Sequence, residues 1–329
     1  MNSTAVTEIH ERTSLRSVAV RVGARAVVRP LLSYFPVEGP IAPARHLVDV
    51  ACRALPRLPA TRFERVAGEG WTAELVTARD AEPGRAALVY FHGGAFVFCG
   101  LATHRRIVER LALRTGLPVL SVAYRQRSTS YVDTSVSDCV EAVNWLIQRG
   151  YDPGRLVLAG DSAGGHLAFT VAMEAAAQGL GVAGVVGLSP WLELDNSERR
   201  NHANARRDHY IPTFRLDRIA HQITGRPILD PDLSPVNRDL ADLPPALLVC
   251  AADEVLRFDA ELMAERLDAA GVPASLHIWK GQVHAFPVLG NLLPESAAAL
   301  DLVSGFVGEV LGARRLRSVP HQTASQAAG

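Results

Sequence analysis

Ser162 stands in the stretch "RLVLAGDSAGGHLA", residues 155–168, with glycines at 160, 164 and 165 around it. A serine hydroxyl is a poor nucleophile until a base takes its proton and donors stabilise the oxyanion that forms. The pattern Gly160-x-Ser162-x-Gly164 fits a nucleophile elbow, a sharp strand-to-helix turn that lifts the hydroxyl above the end of a sheet. On its own it fits a helix N-cap serine equally well. The difference lies in whether the chain also carries a base, an orienting carboxylate and a set of N–H donors.

The donors have a candidate loop. "VYFHGGAFVF", residues 89–98, places His92-Gly93-Gly94 directly after an apolar run. The amides of Gly93, Gly94 and Ala163 would then form a three-donor oxyanion hole. Of eleven histidines, His284 in "KGQVHAF" has the downstream position, after a strand, that a base in this chain order requires. His166 and His277 are expected to pack in the fold and His92 to orient its own loop, while His202, His209 and His221 fall in a polar insertion. The carboxylate is either Asp253 or Glu254, adjacent in "VCAADEVLRFD" at the carboxyl end of an apolar strand. Neighbouring residues cannot both point at one imidazole, so the other is expected on the surface or capping the helix near Phe258. No H-E-x-x-H spacing suggests a metal, and no Gly-Lys-Ser/Thr follows "GDSAGG", so neither a metal site nor a phosphate loop is expected.

These residues must be held by elements, and the text supplies them in alternation. Candidate strands lie at 63–67, 72–77, 86–91, 118–123, 156–160, 184–188, 246–251 and 274–279, with helices at 103–114, 135–148, 164–178 and 258–270. Strand–helix alternation predicts an α/β fold with a mostly parallel central sheet covered on both faces. Two regions break it: residues 1–62, rich in proline, and the polar 192–235. The expected organisation is a helical cap from 1–62 and 192–235, a catalytic domain from 63–191 and 236–312, and a disordered tail over 313–329. Deleting the first 35 residues should then alter substrate chain-length preference more than the fold.

Bulk composition narrows the partners. The chain has 329 residues, 34 Lys plus Arg against 34 Asp plus Glu, so nothing in its net charge calls for nucleic acid or an acidic membrane. No apolar run approaches the ~18 residues of a membrane span. The basic amphipathic stretch 14–35 is expected to pack on its own protein. Four scattered cysteines without a C-x-x-C pair predict reduced thiols and a cytoplasmic protein; a monomer or homodimer is expected.

With glycine loop, serine, acid and histidine in this order, residues 60–312 resemble the hormone-sensitive-lipase family of α/β-hydrolase carboxylesterases. The resemblance rests on "HGGA", "GDSAGG", "SPW" (189–191), "LSPV" (233–236), "DEVLR" and "GQVHAF". It implies a cofactor-free serine esterase acting on a small-molecule ester through an acyl-enzyme on Ser162, under a helical cap. The family carries an Asp-Pro-Leu-Arg whose Asp lies 30 residues before the histidine. Here 284 − 254 = 30, so the register puts Glu254 on the acid, with Asp253 as the alternative. The third glycine of the family's loop is Ala95, and its Tyr-Arg-Leu-Ala-Pro-Glu run is replaced after Tyr124-Arg125 by "QRSTSYVDTS". That departure points to a specialised substrate. A biosynthetic acyltransferase or lactone-processing enzyme would use the same triad, and a ligand receptor on this fold would dispense with the histidine that is present here.

Overall fold

Short apolar segments bounded by turns become strands, and the longer periodic ones become helices. The computed structural model describes residues 5–34, 50–54, 56–82, 84–127 and 130–317. Its strands are β1 (Ala5–His10), β2 (Thr61–Ala67), β3 (Thr72–Ala78), β4 (Ala87–Phe91), β5 (Val119–Ala123), β6 (Leu156–Asp161), β7 (Gly184–Leu188), β8 (Ala246–Ala251) and β9 (Ala274–Trp279). They form one sheet in the order β1-β9-β8-β7-β6-β4-β5-β3-β2. Only β3 runs against its neighbours β2 and β5; the remaining pairs are parallel.

Central strands of such a sheet are buried on both faces, so they read as continuous apolar runs. Successive residues of β4 serve opposite layers: Ala87, Val89 and Phe91 belong to one core, Leu88 and Tyr90 to the other. Helices α3 (Leu101–Thr115), α4 (Val132–Gln148), α5 (Ala163–Ala177), α8 (Arg257–Ala269) and α9 (Pro294–Arg317) cover the sheet. Cys139, Leu146, Phe169 and Met263 of α4, α5 and α8 pack into the first core, and Ile107, Leu111, Leu300 and Val303 of α3 and α9 into the second.

Three expectations are corrected. Residues 5–10, assigned to a cap, form the edge strand β1 and pair in parallel with β9. The sheet begins again at Thr61 rather than residue 63. Residues 313–317, assigned to a disordered tail, instead continue α9 to Arg317; residues 318–329 lie outside the described residues.

The stretch 14–35 is only partly as expected. Helix α1 (Leu15–Gly23), a π turn and α2 (Arg29–Tyr34) follow β1, and Ser17 and Ala24 are buried against the body. Leu15, Val22, Val27, Leu31 and Tyr34 are nevertheless exposed. Between β7 and β8 the insertion forms short turns and two small helices, α6 (Ser197–Asn201) and α7 (Leu216–Thr224). Its base is fixed by Arg199, whose fully buried Nε meets Asp259 Oδ1 of α8 at 2.8 Å. The Asp259 carboxylate also accepts the amides of Leu192 and Glu193 at 2.8 and 2.9 Å.

Candidate active site

β6 is buried along its whole length and ends at Asp161, and α5 starts at Ala163, so a single residue makes the turn. That residue is Ser162, with φ 52° and ψ −119°. A positive φ in a non-glycine residue is strained and persists only where the surroundings enforce it. Close packing does so here: a Cβ on Gly164 would lie 1.9 Å from the Phe91 carbonyl oxygen, and one on Gly160 2.1 Å from that of Gly164. The serine occupies the N-cap position, yet its side chain makes no capping hydrogen bond. An ordinary N-cap serine is therefore ruled out, and the hydroxyl is left for other work.

The loop after β4 is held from below by Asp161. Its Oδ1 accepts the Tyr90 hydroxyl at 2.8 Å and the Gly93 amide at 3.0 Å, and its Oδ2 lies 3.2 Å from His104 Nε2. Burial alone would raise the Asp161 pKa; the charge and hydrogen bond of His104, with the bonds from Tyr90 and Gly93, outweigh it and lower the pKa instead. On the other side, Tyr124 stacks on His92 with ring centroids 4.5 Å apart and donates to the His92 carbonyl at 2.7 Å. Arg125 is fixed by Asp138, and Gln126 donates to Cys99 O at 3.2 Å, so the unusual run after Tyr124 braces this loop; residues 128 and 129 lie outside the described residues.

This arrangement corrects one site residue. The Gly93 amide, expected in the oxyanion hole, already donates to Asp161 and has no second proton to offer. The next amides are those of Gly94, at φ 115°, and Ala95, at φ 55°. Among the described residues, the amides of Gly94, Ala95 and Ala163 meet no acceptor. The donors available for an oxyanion are thus shifted one residue along the loop, and the Gly93 amide is an anchor.

His284 follows β9 and is buried. Its Nδ1 lies 2.5 Å from Glu254 Oε2, and the other carboxylate oxygen accepts the Ala251 amide at 2.7 Å. The side chain facing the imidazole is therefore that of Glu254. Asp253 is half-buried, and its charge only partly offsets the lowering of the His209 pKa by burial and by Arg21 and Arg25. Burial would lower the His284 pKa from 6.5, but the Glu254 hydrogen bond and the charges of Glu254, Asp208 and Asp161 raise it. The loops of serine and histidine meet at the end of β7. Ser162 N donates to Leu188 O at 2.9 Å, and Ala285 N donates to the side chain of the next residue, Ser189, at 3.0 Å.

Other histidines face backbone groups nearby. His166 Nδ1 lies 3.1 Å from Trp191 O, and its burial pulls the pKa down to about 4. His202 Nδ1 accepts the Asn204 amide and His221 Nδ1 faces Arg226 O, both within the insertion itself. His277, expected to pack, is buried in β9 beside Glu8 and His10 of β1.

Two residues had no signal in the sequence. Asn204 Nδ2 donates to the carbonyls of Ala252 at 2.8 Å and Glu254 at 2.9 Å. Asp208 accepts the Val255 amide at 2.7 Å, together with those of Tyr210 and Ile211. Burial raises the Asp208 pKa, against those three amides. Tyr210 then lies with its ring centroid 5.7 Å from that of His284. These contacts lie within a polar 44-residue insertion where neither spacing nor composition distinguishes them.

Comparisons with known proteins identify the family. A family model described as the alpha/beta hydrolase fold matches residues 88–288. Esterase LipU of Mycobacterium tuberculosis is 36% identical over 280 residues, covering 81% of this chain and 93% of that protein. The carboxylesterase/phospholipase LipF of the same organism is 35% identical over 307 residues, covering 88% and 82%. A crystal structure of an esterase from the bacterial hormone-sensitive lipase family superposes with a TM-score of 0.81 at 29% identity, covering 92% of this chain and all of the other. The chain belongs to the alpha/beta hydrolase family, in its hormone-sensitive-lipase branch.

Proposed function

We propose that the protein is a serine carboxylesterase that hydrolyses small to medium carboxylic esters through an acyl-enzyme on Ser162. The observation that carries this is the pairing of His284 Nδ1 with Glu254 Oε2 at 2.5 Å, which fixes the tautomer and leaves Nε2 as the proton acceptor. His284 takes the Ser162 proton as Oγ attacks the ester carbonyl. The oxyanion is received by amides of Gly94, Ala95 and Ala163 at the N-terminus of α5, whose dipole favours negative charge. His284 then protonates the leaving alcohol and activates a water that releases the acid. Relatives named esterase and carboxylesterase support the same reaction.

In this proposal the insertion 192–235 acts as a cap, supported by the approach of Tyr210 to His284, and residues 1–62 supply cap only beyond β1. The free thiols of cysteines 52, 99, 139 and 250 support a cytoplasmic enzyme, and a monomer or homodimer is part of the same proposal. Among the described residues no helix is long and apolar enough to cross a membrane. The test is turnover of p-nitrophenyl esters of rising chain length by the native chain and by Ser162→Ala and His284→Ala. Each substitution should abolish turnover, and the losses should not multiply in the double variant because the pair acts as a unit. Near-native turnover by folded Ser162→Ala would sink the proposal.

A further inference from the structure

At the outer edge of the sheet, away from the serine, three metal-ligating side chains converge. β1 and β9 run parallel with Glu8 opposite His277 and His10 opposite Trp279. Side chains two apart on a strand share a face, so Glu8 and His10 stand beside His277 and Trp279 on one side of the sheet. His277 Nδ1 lies 3.0 Å from a Glu8 carboxylate oxygen and 3.1 Å from His10 Nε2. All three ligand atoms fall within 4.8 Å of one another.

A single proton on His277 Nδ1 can point at Glu8 or at His10, not at both. A divalent cation between the three would engage every lone pair at once. We propose that Glu8, His10 and His277 form a binding site for a divalent transition metal of the zinc type, which would tie β1 to β9. Two imidazole nitrogens and one carboxylate oxygen suit zinc or its neighbours rather than magnesium or calcium, which take oxygen. Zinc–nitrogen bonds of about 2.0–2.1 Å in a tetrahedron separate ligand atoms by roughly 3.4 Å. The two shortest separations in the cluster need open by only a few tenths of an ångström to reach that spacing. His10 is held for the task by Trp279, which stacks against it with centroids 3.9 Å apart and planes 8° from parallel. Three protein ligands leave a fourth position for water. The site is separate from ester hydrolysis and requires no metal for that reaction.

The test uses the full chain without an affinity tag, stripped with EDTA and titrated with Co²⁺ alone, then with Zn²⁺ alone. One Co²⁺ per chain should give visible absorption of the intensity expected for a four-coordinate ion, and Zn²⁺ should displace it. Zn²⁺ should also raise the melting temperature, since a ligand that binds only the folded state stabilises it. Glu8→Gln and His10→Ala should each weaken Co²⁺ binding by more than about tenfold, as even outer-shell changes cost roughly 10–100-fold. Their unchanged p-nitrophenyl ester turnover would show that the fold is kept. Absence of saturable binding to the native chain, or binding that survives in both variants, would overturn the site while leaving the esterase proposal untouched.

Discussion

The side-chain amide of Asn204 donates to the main-chain carbonyl of Glu254 at 2.9 Å, so the insertion holds the loop whose carboxylate faces His284. Asp208 completes the clamp by accepting the Val255 amide at 2.7 Å. Removing Asn204 takes the shorter of two hydrogen bonds from each carbonyl, leaving Ala252 O with Arg257 Nη1 at 3.2 Å and Glu254 O with the Arg257 amide at 3.3 Å, an effect of about 0.5–1.5 kcal/mol on stability each. Asn204→Ala should therefore lower kcat about tenfold or more, with KM less affected, because the carboxylate that orients His284 loses its support. A purely structural role would lower stability and leave kcat per folded enzyme unchanged.

The acid itself gives a sharper contrast. Losing the orienting carboxylate of a serine triad costs about 10⁴ in turnover. Glu254→Gln should approach that loss, whereas Asp253→Asn should stay within about threefold, since Glu254 and not Asp253 faces the imidazole. The reverse order in steady-state kinetics would reassign the acid.

How much of this was legible before the structure follows from where each signal resides. The residues alone left Asp253 and Glu254 open, and only the resemblance, with its acid 30 residues before the histidine, favoured Glu254. Strands β4 to β9 were readable because burial on both faces makes them largely apolar. β1 was not, since an edge strand with Val6 and Ile9 largely exposed carries no such run. The oxyanion loop was recognisable but its register was not. Which amide is free depends on Asp161, 68 residues away, accepting from Gly93. Asn204 and Asp208 act through backbone groups of the acid loop, a contact to which residue type adds no pattern.

The pH profile follows from the His284 environment. Esterase turnover needs neutral His284, so kcat/KM should rise with pH through its pKa, which is raised above 6.5 by the Glu254 bond and the charges of Glu254, Asp208 and Asp161, against the lowering by burial. In Glu254→Gln the bond to a charged carboxylate and its charge are gone, and burial then weighs more. The midpoint of the residual activity should move to lower pH than in the native enzyme. A midpoint that stays in place or moves upward would contradict the role of Glu254.

The N-terminal segment should be more than a cap. Deleting the first 35 residues removes β1 from the sheet and breaks the cluster in which Ser14 and Ser17 donate to Glu295 at 3.0 and 2.9 Å. The Ser17 hydroxyl also lies 3.0 Å from Gln282 Oε1, two residues before His284. The truncated chain should therefore lose melting temperature and turnover together on every chain length tested. A changed chain-length preference at native stability would restore the simpler cap role.

The last prediction concerns Asp161, whose carboxylate ties the oxyanion loop to the elbow. It accepts from Gly93 at 3.0 Å and from Tyr90 at 2.8 Å, and faces His104 at 3.2 Å. Without it the Gly93 amide is unpaired and the loop is free to shift, which would move the Gly94 and Ala95 amides off the oxyanion position. Loss of one oxyanion donor costs about 10²–10³ in kcat, so Asp161→Ala should fall in that range with a smaller change in KM. Tyr90→Phe removes only one partner of the same carboxylate and keeps the Gly93 bond. It should cost stability of about 1 kcal/mol and less than tenfold in rate. Asp161→Asn retains an oxygen for Gly93 and should recover part of the kcat lost in Asp161→Ala, which also guards against a variant that merely unfolds. A folded Asp161→Ala enzyme with native kcat would show that the loop holds its shape without this carboxylate.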